Sequence, residues 1–475
     1  MDKERRKKIQ TTKLVITEIF MLIIIVLTVI VLTFIVMGYR LTEDGKLEQS
    51  GLVQIDSIPT GAKVAIGEET LPGETNISKI LPEGNYELKL TKDGYTTWSK
   101  SISVHPGLLT KLSYPRLYKL DRKLEEVIAL NEAPEVYSIP PTREFILLTS
   151  PNSPKFQILN IPSDTTKVTE IDLSKLLLDS DQLVSNIQVV SWCHDANRFV
   201  LSFKSNDGSH LAIVDLERPE NSLDLTSSFA VQISDLQFAN NHGDELFILE
   251  NGHLRTISLS SKQLSDVLVS DVQSFSSHNK TIALVRQPKD KEKEFVIYNS
   301  DNGSSVFLSS TSATTAKIAI SEYLNRPTLV IAEDDLLSIY RGDLPTENIT
   351  KDNPDYKPAA QISIKSGAPD SLQFHAKNQA IIAIRDQSRT VFDLESATTT
   401  SYTIESNLTF WPDEYTIGTV SGGSLNVRDY DGGNLQTLSR AESGYPAVIT
   451  KDNKYIYFVQ KNEDKGLIIV REIIK

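Results

Sequence analysis

The chain has 475 residues, 40% of them apolar and 23% charged, and a net charge of −13. That length predicts two or more domains, and the balance is that of a globular chain rather than a disordered one. Residues 1–40 hold seven of the 49 Lys/Arg and three of the 62 Asp/Glu, which leaves 42 against 59, net −17, on the rest; so acidic a body repels phosphate backbones, and nucleic acid is excluded as an expected partner.

Chain order begins with a basic tail, residues 1–13, carrying Lys3, Arg5, Arg6, Lys7 and Lys8. A transmembrane helix is predicted over 14–38. From Ile19 to Met37 no residue is charged, and at about 1.5 Å per residue this run spans roughly 28 Å, close to a bilayer core. Thr28 and Thr33 can return their hydroxyls to the helix backbone. The basic residues precede the span and "RLTEDGKLEQ" follows it, so the positive-inside rule puts the N-terminus in the cytoplasm and the rest outside the plasma membrane. A cleaved signal peptide is the rival. It is disfavoured because the apolar core is longer than such a segment needs and the exit "VMGYR" lacks a small-x-small site. Cys193 is the only cysteine, so no intrachain disulfide can form, and it reads as a small buried thiol. Export without paired cysteines points to a bacterial or archaeal envelope.

After a linker at 39–50, residues 51–115 alternate as short strands between Pro/Gly turns: Leu52–Ile55, Lys63–Ile66, Asn85–Leu90, Thr97–Val104 and Leu109–Tyr114. Strands at this spacing predict a small antiparallel sandwich. Four motifs occur in order: Pro59-Thr60-Gly61-Ala62-Lys63-Val64, Ile66-Gly67, Leu81-Pro82-Glu83-Gly84-Asn85-Tyr86 and Gly94-Tyr95. On these residues the segment resembles the PEGA domain. It departs from that pattern at Gly73-Glu74-Thr75-Asn76, where the family has Pro in place of Asn76. The resemblance implies a spacer of envelope or surface-layer proteins, with no chemistry of its own.

Residues 116–475 repeat. An apolar or aromatic residue ends one strand, a polar turn follows, and an apolar strand comes next. Copies start at Ile139, Trp192, Phe238, Phe275, Ile320, Phe374, Phe410 and Ile449. Their mean step of about 44 residues is the length of a four-stranded propeller blade. Phe410-Trp411-Pro412-Asp413 and Ile449-Thr450-Lys451-Asp452-Asn453-Lys454 resemble degenerate TolB-type propeller repeats. The fold class expected is therefore all-β: a transmembrane helix, a PEGA-type sandwich and a 7–8 bladed β-propeller, eight by count. The last copy has room for three strands, and "LEEVIAL" at 124–130 is expected to supply the fourth. "DLSKLLLDSDQL" at 172–183 has helical spacing and reads as an insertion.

No catalytic, metal or cofactor-binding residue is nominated, no cofactor is expected, and the binding residues stay unassigned. The histidines (His105, His194, His210, His242, His253, His278, His375) have no metal-ligand spacing. "SNDGSH", "NSDNGSS" and "DYDGGN" read as tight hairpins, and Arg341-Gly342-Asp343 as a charged loop. Trp192, Phe238, Phe275, Phe374 and Phe410 fit packing between blades, whereas Trp98 and Trp411 fall off that pattern and read as exposed stacking surfaces. The function expected is a non-enzymatic, membrane-anchored scaffold that presents the propeller to an envelope protein or a cell-wall glycan. The alternative is an exported polysaccharide hydrolase or lyase, which would need converging carboxylates.

Overall fold

The computed structural model describes residues 2–41, 45–151, 153–161, 168–173, 184–206, 208–349, 356–406, 408–464 and 466–475, with side chains from Lys13 onward. Two compact units result, residues 1–121 and 122–474.

The first unit opens with helix α1 (Asp2–Val36). Its stretch Lys13–Val36 has mean hydropathy 3.4 and buries none of its residues, so it is long and apolar enough to cross a membrane. Thr28 and Thr33 donate to the carbonyls of Ile24 and Val29 at 2.8 and 2.7 Å, which hides their hydroxyls from an apolar solvent. Eight strands follow: β1 (Tyr39–Leu41), β2 (Leu47–Ile55), β3 (Lys63–Ile66), β4 (Glu69–Glu74), β5 (Ile77–Pro82), β6 (Gly84–Thr91), β7 (Trp98–Val104) and β8 (Leu109–Leu112). The stretch read as a linker thus holds β1 and the start of β2.

One sheet runs β1-β2-β5, with β8 parallel to β2, and the other runs β4-β3-β6-β7. Their core is Val53, Ile55, Val64, Leu88, Leu90, Trp98 and Ile102. Trp98 corrects an expectation: it is fully buried, opposite Leu90 and edge-on to Tyr114, not exposed. Strand alternation explains it, since Trp98, Ile102 and Val104 share the inward face of β7. At the departure from the family pattern, Thr75 holds the turn. Its hydroxyl accepts from Ala62 N at 2.9 Å, and its carbonyl accepts from Gly61 N at 2.8 Å.

Among the described residues, the second unit holds eight four-stranded sheets. Each of the eight expected repeat starts falls in the first strand of one sheet or next to its end. We number them blades 1 to 8: 136–172, 185–224, 233–264, 272–311, 316–363, 371–403, 409–440 and 448–473. The last is completed by β9 (Leu124–Leu130), antiparallel to Gly466–Ile473, with Leu467 opposite Leu130 and Glu472 opposite Leu124. The expected closure is therefore present. From residue 174 on, the stretch read as a helical insertion lies outside the described residues; Asp172 ends a strand of blade 1.

Blades pack through shared apolar clusters. Phe156 of blade 1 meets Phe199 and Leu201 of blade 2, and Leu148 and Leu159 of blade 1 meet Val448 and Tyr457 of blade 8. Trp192 lies 4.7 Å from the Phe199 ring and donates its indole N–H to Ser138 at 2.9 Å, so it packs between blades as expected. Blades 6 and 7 are joined differently, by a buried polar set. The Tyr430 hydroxyl donates to Asp393, Gln379 donates to both, and Tyr402 donates its hydroxyl to Tyr430 O at 2.8 Å.

The strap β9 lays Val127, Ile128 and Leu130 on the blade 8 cluster. Replacing Ile128, opposite the buried Ile469, with Asp is expected to cost about 2–4 kcal/mol by burying an unpaired charge. Thermal unfolding reads this directly, and an unchanged midpoint would show that the strap does not hold the ring.

Candidate functional site

In an all-antiparallel blade, strand direction alternates, so the first strand begins, the second ends and the third starts at one end of the ring. On blade 2 that end carries a cavity of about 970 Å³. It is walled by Asn186 and Gln188 of the first strand, Ser202 and Lys204 of the second, and Ser209 and His210 of the third. Thr226 and Ser227, on a five-residue helix α2 (Leu225–Phe229), close it together with Gln232 and Ile233 at the start of blade 3. Amides and hydroxyls dominate the wall, Lys204 supplies a cation, and among the described residues no Asp or Glu lines it.

The connection between blades 2 and 3 explains why this cavity forms. Asp224 caps α2, its carboxylate accepting from Ser227 N at 3.1 Å, and Ala230 then turns the chain in the left-handed region at φ 52°. The same carboxylate accepts from the Ser227 hydroxyl at 2.7 Å and lies 2.8 Å from His210 Nδ1. His210 Nε2 lies 3.0 Å from Ser205 Oγ. The imidazole stacks on Phe203, ring centres 5.1 Å apart, and is itself buried. Ser205, His210 and Asp224 therefore stand in a hydroxyl–imidazole–carboxylate series. That is the order in which an imidazole, oriented by a carboxylate, can take a proton from a hydroxyl. Sequence reasoning missed this set because "SNDGSH" was read as a hairpin and Asp224 lies 14 residues beyond His210. The spacing of a blade's third and fourth strands is the signal that would have joined them.

The opposite end gathers the first hairpins of several blades. Arg143 of blade 1 donates to Ile449 O of blade 8 at 3.0 Å and lies 3.7 Å from Glu414 of blade 7, which also takes Lys377 of blade 6 at 3.1 Å. Beside them His375 stacks on Trp411 with ring centres 3.7 Å apart. Trp411 is half-buried under this partner, so it is not the open stacking platform expected. Burial pushes the His375 imidazole down to about 4.

Cys193 is buried, and burial raises its thiol. Phe275 and Phe410 are buried, and the Phe410 ring covers Gly418 so closely that a Cβ there would lie 2.2 Å from it. Phe238 and Phe374 pack against the interblade clusters. Arg341 donates to Leu394 O at 3.1 Å across blades and sits over the Tyr323 ring. In "NSDNGSS", Asn299 accepts from Asp301 N and Gly303 turns at φ 70°, a hairpin with its own side-chain lock. Among the described residues, no group of three or more His, Cys, Asp or Glu is placed to hold a metal ion. Asp235, on the first strand of blade 3, has its carboxyl raised by burial.

With the geometry in place, known proteins can be set beside it. Residues 50–117 match the PEGA domain. That match covers the sandwich alone, and no curated protein matches the chain. Solved structures similar to it include Hsv2 of Kluyveromyces lactis, with a TM-score of 0.41 at 10% identity over 65% of this chain and 98% of that one. An oligogalacturonate lyase in complex with manganese gives 0.36 at 12% identity over 60% and 88%. PorZ, a surface component of the type-IX secretion system of Porphyromonas gingivalis, gives 0.39 at 10% identity over 71% and 43%. None of these likenesses carries an activity or a partner over to the PEGA-bearing chain.

An imidazole near 6.5 when unfolded and near 4 when folded binds a proton only in the unfolded chain between those values, so stability falls as pH drops through that window. Replacing His375 with Gln is expected to flatten the loss of denaturant midpoint between pH 6.5 and 4. Equal slopes in the two proteins would rule this out.

Proposed function

We propose that the protein is a membrane-anchored, extracytoplasmic scaffold whose PEGA-matched sandwich holds the eight-bladed head away from the bilayer, where the blade 2 cavity binds an envelope glycan. The observation that carries this is the path of the chain through the sandwich. It enters where Ser50 N donates to Gly38 O at the end of α1, and it leaves where Leu120 N donates to Gly94 O. Between these two points β6 and β7 run their full paired length, from Gly84 opposite Val104 to Leu90 opposite Trp98, about 20 Å at 3.4 Å per residue. Helix and exit thus sit at opposite ends of a packed sandwich, which is what a spacer needs.

The cavity supports glycan over protein as the ligand. Asn186, Gln188, Ser202, Ser209, Thr226 and Gln232 offer the amide and hydroxyl donors and acceptors that sugar hydroxyls pair with, and Lys204 suits an anionic substituent on an otherwise acidic head. With the N-terminus inside, an uncleaved single-pass anchor leaves this cavity outside the cell. Full-length protein in detergent micelles is expected to retain soluble cell-wall glycan fragments, and the double change Gln188→Ala, Lys204→Glu is expected to weaken that retention at least tenfold. Equal retention by both proteins would move the binding elsewhere, and none by either would sink it.

A second reading, an exported hydrolase, is favoured by the Ser205–His210–Asp224 series. The absence of carboxylates from the described cavity wall argues against glycoside cleavage by a carboxylate pair. The series suits ester cleavage instead, with Ser205 as nucleophile and His210 as base. Release of acyl groups from acylated wall polysaccharide, lost in Ser205→Ala with glycan retention unchanged, is the outcome this reading requires. No release by the unaltered protein disposes of it.

A further inference from the structure

The turn His105–Leu108 is built around the end of α1. Gly107 N donates to Ser50 O at 2.9 Å, Ser50 N donates to Gly38 O at 2.9 Å, and Leu108 N closes the turn on His105 O at 3.3 Å. Contact with the helix is direct. A Cβ on Gly107 would lie 2.6 Å from Val36 O, and one on Gly38 would lie 2.3 Å from Gly107 N. Glycine is required at both places, since each also has positive φ, 68° and 80°. Beyond this tight seam the surface is apolar. Leu108 is 61% exposed and Leu109 45%. Leu109 lies in register with Leu52, and Leu52 with Ile80, so three exposed aliphatic side chains form one row across the sheet. Cross-strand partners lie at the same height along their strands. The row therefore marks a single level, one residue beyond Gly51.

We propose that this turn and row are a membrane-seating surface. Leu108 inserts at the boundary between headgroups and acyl chains of the leaflet that α1 leaves, and Leu109, Leu52 and Ile80 lie at the level just above it. The occupant is the phospholipid bilayer. This rests on the reading of α1 as a membrane span. The helix supplies the geometry: its uncharged run Ile19–Met37 is about 28 Å long, close to the hydrocarbon core of about 30 Å. Gly38, the next residue, therefore stands at the boundary between acyl chains and headgroups, and whatever is hydrogen-bonded to it stands there too. Phe34 and Tyr39 meet edge to face at 5.1 Å at the same level, as aromatic residues do at membrane interfaces. An exposed aliphatic patch tied to a helix exit is satisfied by the lipid beside it, and the sandwich is held upright instead of swinging on a tether.

The test uses full-length protein in phosphatidylcholine–phosphatidylglycerol vesicles. Position 108 (Leu108→Cys) or position 93 (Asp93→Cys) carries an environment-sensitive fluorophore. Asp93 lies in the turn at the far end of β6 and β7, and the buried Cys193 in the otherwise unaltered chain gives the labelling blank. The label at 108 is expected to be quenched at least twofold by nitroxide-bearing lipid, and the label at 93 to be unchanged. Equal thermal midpoints show that both variants fold. A protein that floats with the vesicles but shows no more quenching at 108 than at 93 overturns the seating surface and leaves the anchor standing. A protein that does not float with vesicles overturns the anchor and the surface together.

Discussion

The head depends on one pairing, that of Leu124–Leu130 with Gly466–Ile473. A blade is a small sheet with two edges and two apolar faces, and it can bury those faces only against neighbouring blades. Eight such sheets in a row would leave the outer faces of the first and last exposed. Completing blade 8 with a strand from before blade 1 removes that defect and ties the two ends of the head together without a covalent bond. Side chains reinforce the tie. Arg471 holds Glu125 at 2.9 Å, and Arg122 holds Glu472 at 3.2 Å while also donating to Leu438 O of blade 7. Glu472 is nearly buried and takes the Ser439 hydroxyl as well, so its charge is compensated on both sides.

Given closure, the interfaces between blades need not be alike. Most are filled with Val, Ile, Leu and Phe, whereas that between blades 6 and 7 turns on Asp393, Gln379 and Tyr430. Asp393 also fixes its own turn, accepting from Glu395 N and Ser396 N at 2.8 and 3.0 Å. A buried carboxylate with this many donors is stable only if each neighbour keeps its place, so the set fixes geometry more than it adds stability. Blade 2 uses the same device at Asp215, which accepts from Glu217 N and Arg218 N. The connection after Asp224 in the same blade runs through α2 and borders the cavity.

The sandwich follows a different logic. The points where the chain enters and leaves it are backbone hydrogen bonds at opposite ends of the strands. Gly38 and Gly107 make the first of these junctions close enough that helix α1 and the sandwich meet without slack. Since α1 runs straight into this seam, the position of the helix end fixes the position of the turn His105–Leu108.

Much of this was legible from residues alone. The 24-residue apolar stretch, the 44-residue rhythm of apolar strand, polar turn and apolar strand, and the orphan strand at 124–130 are local patterns, and local patterns follow from the periodicity of side chains. Strands β1, β4 and β5 were not foreseen, because they are short or broken by Pro72 and Gly73 and acquire their pairing only from β2 and β3. Trp98 and Trp411 were misjudged for the same reason: what covers an aromatic ring, here Tyr114 and His375, lies far from it in sequence. The meeting of Ser205, His210 and Asp224 was likewise decided by tertiary structure. Sequence determines which residues a strand presents and with what period, since that is a property of the backbone. Which two strands become neighbours, and so which side chains meet, is decided only when the whole ring has closed.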